Sequence, residues 1–186
     1  MTIDEIIDSI YSIPDSSKDQ LKAHIEDISL KKGFMLIHSE KLEDNVFFLK
    51  KGVVRAYVDD NDKEVTFWFG KEGDTVMSVK SYVENKKGYE YIELLEDCNF
   101  FRINLTTLNN LFEENIYIAN WGRKLAEKEL IKIENRIIFR ELLSAKQRYE
   151  EFTKIHSNLF QRVPLKYIAS YLGVTPVSLS RIRKEV

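Results

Sequence analysis

Apolar residues recur at Ile3, Ile6, Ile7 and Ile10 and stop before Pro14, which predicts a short amphipathic helix. Leu21, Ile25 and Ile28 fall on one side of a second short helix over Lys18 to Ile28. After Gly33 the texture changes to short runs: FMLIH, VFFLKKGVVRAYV, EVTFWF, YEYIELL and NFFRINL. Each is rich in Phe, Tyr, Val and Ile, and they are broken by Gly52, by DDND at 59–62 and around Gly73 and Gly88. Several short strands at close intervals predict an antiparallel barrel or sandwich. Between the apolar halves of VFFLKKGVVRAYV, Gly52 can take a positive φ in a tight turn, and the 59–62 cluster makes a second turn.

From about Thr107 the pattern becomes helical. Ala126, Leu130, Ile133 and Ile137 follow a 4, 3, 4 spacing, with Ile118, Trp121 and Leu125 upstream and Ile138 and Leu142 downstream. At 1.5 Å rise per residue such a helix is about 35 Å or more long. Its stripe has two possible partners, the open face of the β domain or its twin in a homodimer. The apolar positions outnumber what one face needs, and Glu127, Lys128, Glu129 and Lys132 flank them, which favours the dimer. A further helix covers Ser144 to Lys154, with Ser144 as its cap, and HSNLFQRV links it onward.

The most informative stretch is VPLKYIASYLGVTPVSLSRIRKEV, residues 163–186. Pro164 opens a helix whose Leu165, Ile168, Ala169 and Leu172 form one face, and Gly173 ends it in a left-handed conformation. A new helix starts at once, with Thr175 at N-cap, Pro176 at N1, and Val174 and Leu179 placed as a hydrophobic staple. Leu179 and Ile182 face back, Ala169 is small where the helices approach, and Val177, Ser178, Ser180, Arg181 and Lys184 face outward. These are the mechanical requirements of a helix-turn-helix. Short serines permit close approach to a groove, Arg181 can present a bidentate fork to guanine, and Arg183 and Lys184 can reach phosphates. Lys166, Arg162 and Lys154 are further candidates for phosphate contact.

Charge sharpens this reading. Residues 1–135 carry 18 Lys+Arg against 26 Asp+Glu, a balance of −8, whereas residues 136–186 carry 10 against 4, a balance of +6. An acidic body with a basic C-terminal quarter suits a polyanion-binding module. At 186 residues, 44% hydrophobic and with seven Gly and three Pro, the chain can bury a sizeable core, in one large domain or two small ones. The single cysteine, Cys98, can close no internal disulfide and fits a reducing, cytoplasmic setting. No leader is expected, and no segment approaches the roughly 20 apolar residues of a membrane span.

The whole chain resembles the Crp/Fnr superfamily of bacterial transcription regulators. The residues that carry the resemblance are ASYLGVTPVSLSRIRK, the upstream SAKQRYEEF, and the series FFLKKGVVRAYV, EVTFWFGKEGD and YIELLED. The resemblance implies an α+β chain: a cyclic-nucleotide-binding-like double-stranded β-helix over residues 1–112, a long dimerisation helix over 113–143 with Ala126, Leu130, Ile133 and Ile137 at its interface, and a helix-turn-helix over 144–186. It also implies a homodimer on a palindromic promoter site, one recognition helix per half-site, in contact with RNA polymerase and controlled by a small-molecule effector. By position in the motif, Val177, Ser178 and Arg181 resemble base-reading residues, and Thr175, Ser180, Arg183 and Lys184 resemble phosphate-contacting ones. The sequence stops after this helix, so the β-hairpin wing of many relatives is expected to be missing.

Departures from the family bear on the effector. Cyclic-AMP-binding members carry a glycine and glutamate followed about ten residues later by an arginine and a serine or threonine. Here GDTVMSVKSYVENKKGYEYIE places Ser78 at the glutamate and Gly88 and Tyr89 near the arginine and its neighbour, with only Lys86 or Lys87 to replace the charge. Tight cyclic AMP binding is therefore not expected. Ser78, Tyr82 and Tyr89 are the candidate effector-pocket residues, among the aromatics Phe67, Trp68, Phe69, Tyr82, Tyr89 and Tyr91 that line a pocket or build core. No metal or other cofactor is expected: Cys98 stands alone, and His24, His38 and His156 lie apart. A β-roll ligand or interaction module that has lost DNA binding is the alternative function. An enzyme has the least support, since no nucleophile–base pair or phosphate-cradling loop appears.

Overall fold

The computed structural model describes residues 1–61 and 63–185; Asp62 of the expected 59–62 turn and the final Val186 lie outside the described residues. Two short helices, α1 (Ile3–Ile10) and α2 (Asp15–Lys22), precede strands β1 (Glu26–Leu30), β2 (Met35–Ile37), β3 (Asn45–Lys51), β4 (Val54–Asp60), β5 (Lys63–Gly70) and β6 (Thr75–Val76). After α3 (Val79–Glu84) come β7 (Tyr91–Leu94) and β8 (Cys98–Asn104), and the rest is helical: α4 (Leu105–Glu114), α5 (Ile116–Leu142), α6 (Ala145–Ile155), α7 (Leu159–Arg162), α8 (Leu165–Leu172) and α9 (Pro176–Glu185). The strands form two four-stranded sheets, ordered β1-β8-β3-β6 and β2-β7-β4-β5, with every pairing antiparallel.

Three packed layers explain the apolar runs. Between the sheets lie Phe47, Leu49, Val54, Ala56, Ile92 and Phe100. The outer face of the first sheet, including Val46, Phe48 and Ile103, is covered by α1, α2, α4 and the start of α5. Both faces of β3 are thus buried, so VFFL reads as an unbroken apolar run instead of an alternation. Trp121 is fully buried there and donates its indole N–H to the Ile7 carbonyl at 3.1 Å.

Four local expectations are corrected. The second helix stops at Lys22, and Glu26–Leu30 becomes a strand paired with β8, so Ile28 belongs to a sheet. Gly52 has the positive φ, +121°, and a Cβ there would collide with Cys98 Sγ, but β3 and β4 belong to different sheets; the turn is a corner, not a hairpin. The helical region is split at Asn115, whose Oδ1 accepts the Tyr117 and Ile118 N–H groups and starts α5 afresh. The 156–163 link contains the short helix α7.

The third core joins the β-roll to the C-terminal helices: Val53, Phe69 and Leu95 pack with Phe152, Leu159, Ile168, Leu172 and Leu179. Arg162 closes this junction, its guanidinium forked between Glu72 and Glu96. It was a candidate for phosphate contact, and its commitment to two carboxylates withdraws it. Burial, the largest influence on the Glu72 carboxyl, pushes it up, yet hydrogen bonds from Arg162 and from the Gly52 N–H together hold it down at about 2, against an ordinary 4.5. A carboxyl depressed on folding stabilises above its unfolded value, and that stabilisation is lost as pH falls from about 4.5 towards 2. The melting temperature of the wild type is expected to fall more steeply across this window than that of Glu72→Gln, with the two converging near pH 2; calorimetric melting at stepped pH measures it.

Candidate nucleic-acid interface and effector cleft

The α8–α9 turn is built by backbone bonds that only a left-handed residue permits. Gly173 has φ +68° and donates its N–H to the Ser170 carbonyl at 3.0 Å, while the Val174 N–H reaches the Ala169 carbonyl at 3.0 Å, the paired bonds of a Schellman motif. Thr175 Oγ1 then accepts the Ser178 N–H at 3.1 Å, and the Thr175 carbonyl accepts that of Leu179 at 2.9 Å. Pro176 is the first residue of α9, and Ala169 and Leu179 are buried where the helices meet. Arg148 adds a brace, donating to the Leu172 carbonyl at 2.9 Å and the Leu143 carbonyl at 2.6 Å, so it satisfies the C-terminal ends of both α8 and α5.

The outward face of α9 carries Val177, Ser180, Arg181 and Lys184, all exposed; Arg183 is exposed too, one turn after the buried Leu179. Ser178 is half-buried, its hydroxyl 3.0 Å from that of Thr175, so both hydroxyls serve the cap in this structure. Lys166 is exposed on α8, with Nζ 4.7 Å from the Tyr167 ring, and Lys154 pairs with Glu151 at 2.7 Å. The Arg183 guanidinium lies 6.0 Å from the Phe160 ring.

Along α5 burial changes midway. Ile118, Trp121 and Leu125 are buried against the β-roll, but Ala126, Leu130, Ile133 and Ile137 are exposed, Leu130 to 67% and Ile137 to 58%. Ile131, Ile138 and Leu142 are exposed as well.

A cleft of about 380 Å³ lies between β-roll and α5. Phe67, Trp68 and Tyr89 line its roll side, and Ile133, Arg136 and Ile137 its helix side. Of the three expected pocket residues only Tyr89 is in the lining. Ser78 is buried, and its Oγ caps α3 by accepting the Ser81 N–H; Tyr82 packs against the first core, where burial pushes its hydroxyl up. Phe69 belongs to the third core and Tyr91 stacks on Tyr57 at 5.3 Å, so neither lines the cleft. Sequence reasoning missed Glu90 and Arg136. Glu90 is only 5% exposed, with Oε2 accepting the Tyr89 N–H at 3.0 Å and Oε1 lacking a hydrogen-bond partner among the described residues. Burial pulls the Arg136 guanidinium down; its Nη1 is unpartnered and it lies 4.3 Å from the Tyr171 ring. A Cβ at Gly88 would sit 2.6 Å from Ser78 Oγ and 2.7 Å from Glu90 Oε2, so this position has no room for a side chain while Glu90 stays in place.

Other chemistry is sparse. Cys98 is buried, and burial pushes its thiol up to about 11, which makes it a poor nucleophile. No group of three or more His, Cys, Asp or Glu among the described residues is placed to hold a metal ion. No helix among them is long and apolar enough to cross a membrane.

Residues 27–115 match the cyclic nucleotide-binding domain family. No curated protein sequence matches the chain. Among solved structures, FixK2 from Bradyrhizobium japonicum superposes with a TM-score of 0.76 at 16% identity, covering 87% of this chain and 83% of its own. A protein from Eubacterium rectale assigned to the Crp/Fnr family of transcriptional regulators gives 0.73 at 16% identity, covering 93% and 83%. The c-di-GMP responsive global regulator CLP of Xanthomonas campestris gives 0.68 at 14% identity, covering 92% and 91%. The resemblance to the Crp/Fnr superfamily therefore holds in the fold: the stretch that matches the cyclic nucleotide-binding domain family is followed by a long helix and C-terminal helices, as in these solved structures.

Proposed function

We propose that this protein is a DNA-binding transcription regulator, not an enzyme, that binds a palindromic site as a homodimer and answers to a small effector in the cleft between β-roll and α5. The observation that carries the reading is α9: a rigidly capped helix whose exposed face presents Arg181, Arg183 and Lys184, none of them in an ion pair among the described residues. Arg181, with Val177 and Ser178, reads bases; Thr175, Ser180, Arg183, Lys184 and Lys166 hold phosphates. Engagement of Ser178 requires its hydroxyl to turn from the Thr175 cap.

The exposed half of α5 supplies the dimer interface. Ala126, Leu130, Ile133 and Ile137 are exposed beside the line that Ile118, Trp121 and Leu125 bury, Ile133 and Ile137 also edging the cleft, and a second copy is the partner that repeats the same face. Tight cyclic AMP binding is not part of the proposal, because Gly88 supplies no cation for the phosphate and the Glu90 carboxylate stands beside it.

Selection from a random duplex pool is expected to enrich a two-fold symmetric word. Arg181→Ala should then lose about 1–3 kcal/mol of affinity for that word and relax its sequence preference, whereas Lys184→Ala weakens all sequences alike. An unchanged affinity in Arg181→Ala sinks the assignment of α9 and leaves the interaction-module alternative. Sedimentation at micromolar concentration should show a dimer for the wild type and a monomer for Leu130→Glu, which sets a charge on an exposed position without touching the roll.

A further inference from the structure

The cleft combines an apolar body with two unsatisfied polar ends. Its walls are Phe67, Trp68, Tyr89, Ile133 and Ile137, and its volume of about 380 Å³ suits a small molecule with one ring. On the roll side Glu90 is the charged residue of the lining, nine-tenths buried, and one of its carboxylate oxygens has no donor. Such a group is costly without a donor or a positive charge beside it. On the helix side Lys132 is neutralised by Asp74 at 3.0 Å and Glu129 at 2.9 Å, but Arg136 keeps Nη1 unpaired. The polarity therefore runs from an acceptor on the roll to a donor on the helix.

Resting on the reading of this cleft as the effector site, we propose that its ligand is a small apolar organic amine. The protonated amine meets Glu90, the hydrocarbon or aromatic body lies between Trp68, Tyr89 and Ile137, and an acceptor group at the far end meets Arg136. An anion of the same skeleton, or a cyclic nucleotide, would bring its negative charge against Glu90. On the opposite wall Glu129 is paired with Lys132, and the exposed Glu141 stands with Arg136 and Arg140, so the buried Glu90 on the roll side is the seat for an ammonium.

The probes are tyramine, 2-phenylethylamine, 3-phenylpropionate and cyclic AMP, each titrated calorimetrically into the full-length protein. Tyramine should bind best, 2-phenylethylamine more weakly for want of the acceptor, and the two anions weakest. Glu90→Gln, which keeps the shape and the Tyr89 bond, should weaken both amines about tenfold or more and leave 3-phenylpropionate unchanged or improved. Tyr89→Ala, a change at an exposed side chain that the fold tolerates, should weaken all ring-bearing probes alike and so reports on the cleft independently of Glu90. Amine binding that ignores Glu90→Gln, tighter binding of either anion, or no amine binding overturns the proposal. Binding of the selected DNA word, measured on the same preparation, separates the two failures: DNA bound without amine binding overturns only the ligand class, and amine bound without any enriched word overturns only the regulator.

Discussion

Everything downstream of the β-roll depends on covering the outer face of its second sheet. Val53, Phe69 and Leu95 are apolar and face away from the roll's interior, and β5 is an edge strand with free backbone groups. Helices of eight and ten residues cannot bury a core by themselves. The two deficits cancel. Ile168, Leu172 and Leu179 close over Phe69 and its neighbours, and the Ser170 hydroxyl sits on the β5 edge, accepting the Thr66 N–H at 2.9 Å and donating to the Glu64 carbonyl at 3.1 Å. Beside it the Arg55 guanidinium is fully buried between the Tyr57 and Tyr167 rings, 4.1 and 3.6 Å away, with Glu64 and Glu93 at 2.6 and 2.9 Å. Two carboxylates and two rings, one of them Tyr167 of α8, offset the burial of this cation, so the helix pair contributes to its surroundings.

The same elements border the cleft. Phe67 and Trp68 of β5 line it while Thr66 and Phe69 of β5 meet α8 and the third core. Arg136 belongs to the cleft wall and lies against Tyr171 of α8. At its far end α5 is tied to α8 through Arg148. A molecule seated in the cleft therefore presses on side chains that share backbone or contact with the helix pair, and its influence needs no long relay.

Legibility followed sequence separation. The helix-turn-helix was readable because its cap, staple, glycine and small residue all act within about ten positions, as was Ser144, whose capping box with Gln147 spans three. β1 was misread because Leu21, Ile25 and Ile28 satisfy helical spacing, and what makes Glu26–Leu30 a strand is β8, more than 60 residues on. Gly52 announced its own φ but not its strand partners. Arg162 looked like any basic residue near a basic motif, and the carboxylates that claim it lie 66 and 90 residues away. Ser78, set by position against the family's glutamate, caps α3 and stays out of the cleft lining, whereas Glu90, inconspicuous in GYEYIELLED, is given meaning only by burial.

The distribution of charge separates two roles for the basic C-terminal quarter. Were its cations there only to balance an acidic body, they would be spent on that body. Arg162 is so spent, on Glu72 and Glu96, and Arg148 on helix carbonyls. Arg181, Arg183 and Lys184 are exposed on α9 and enter no ion pair with a described residue. Three exposed cations within four residues, none in an ion pair among the described residues, raise the self-energy of the folded chain. Their persistence on a helix whose entry is fixed by three backbone hydrogen bonds and one to the Thr175 hydroxyl is the arrangement that a polyanion, met from outside, would offset.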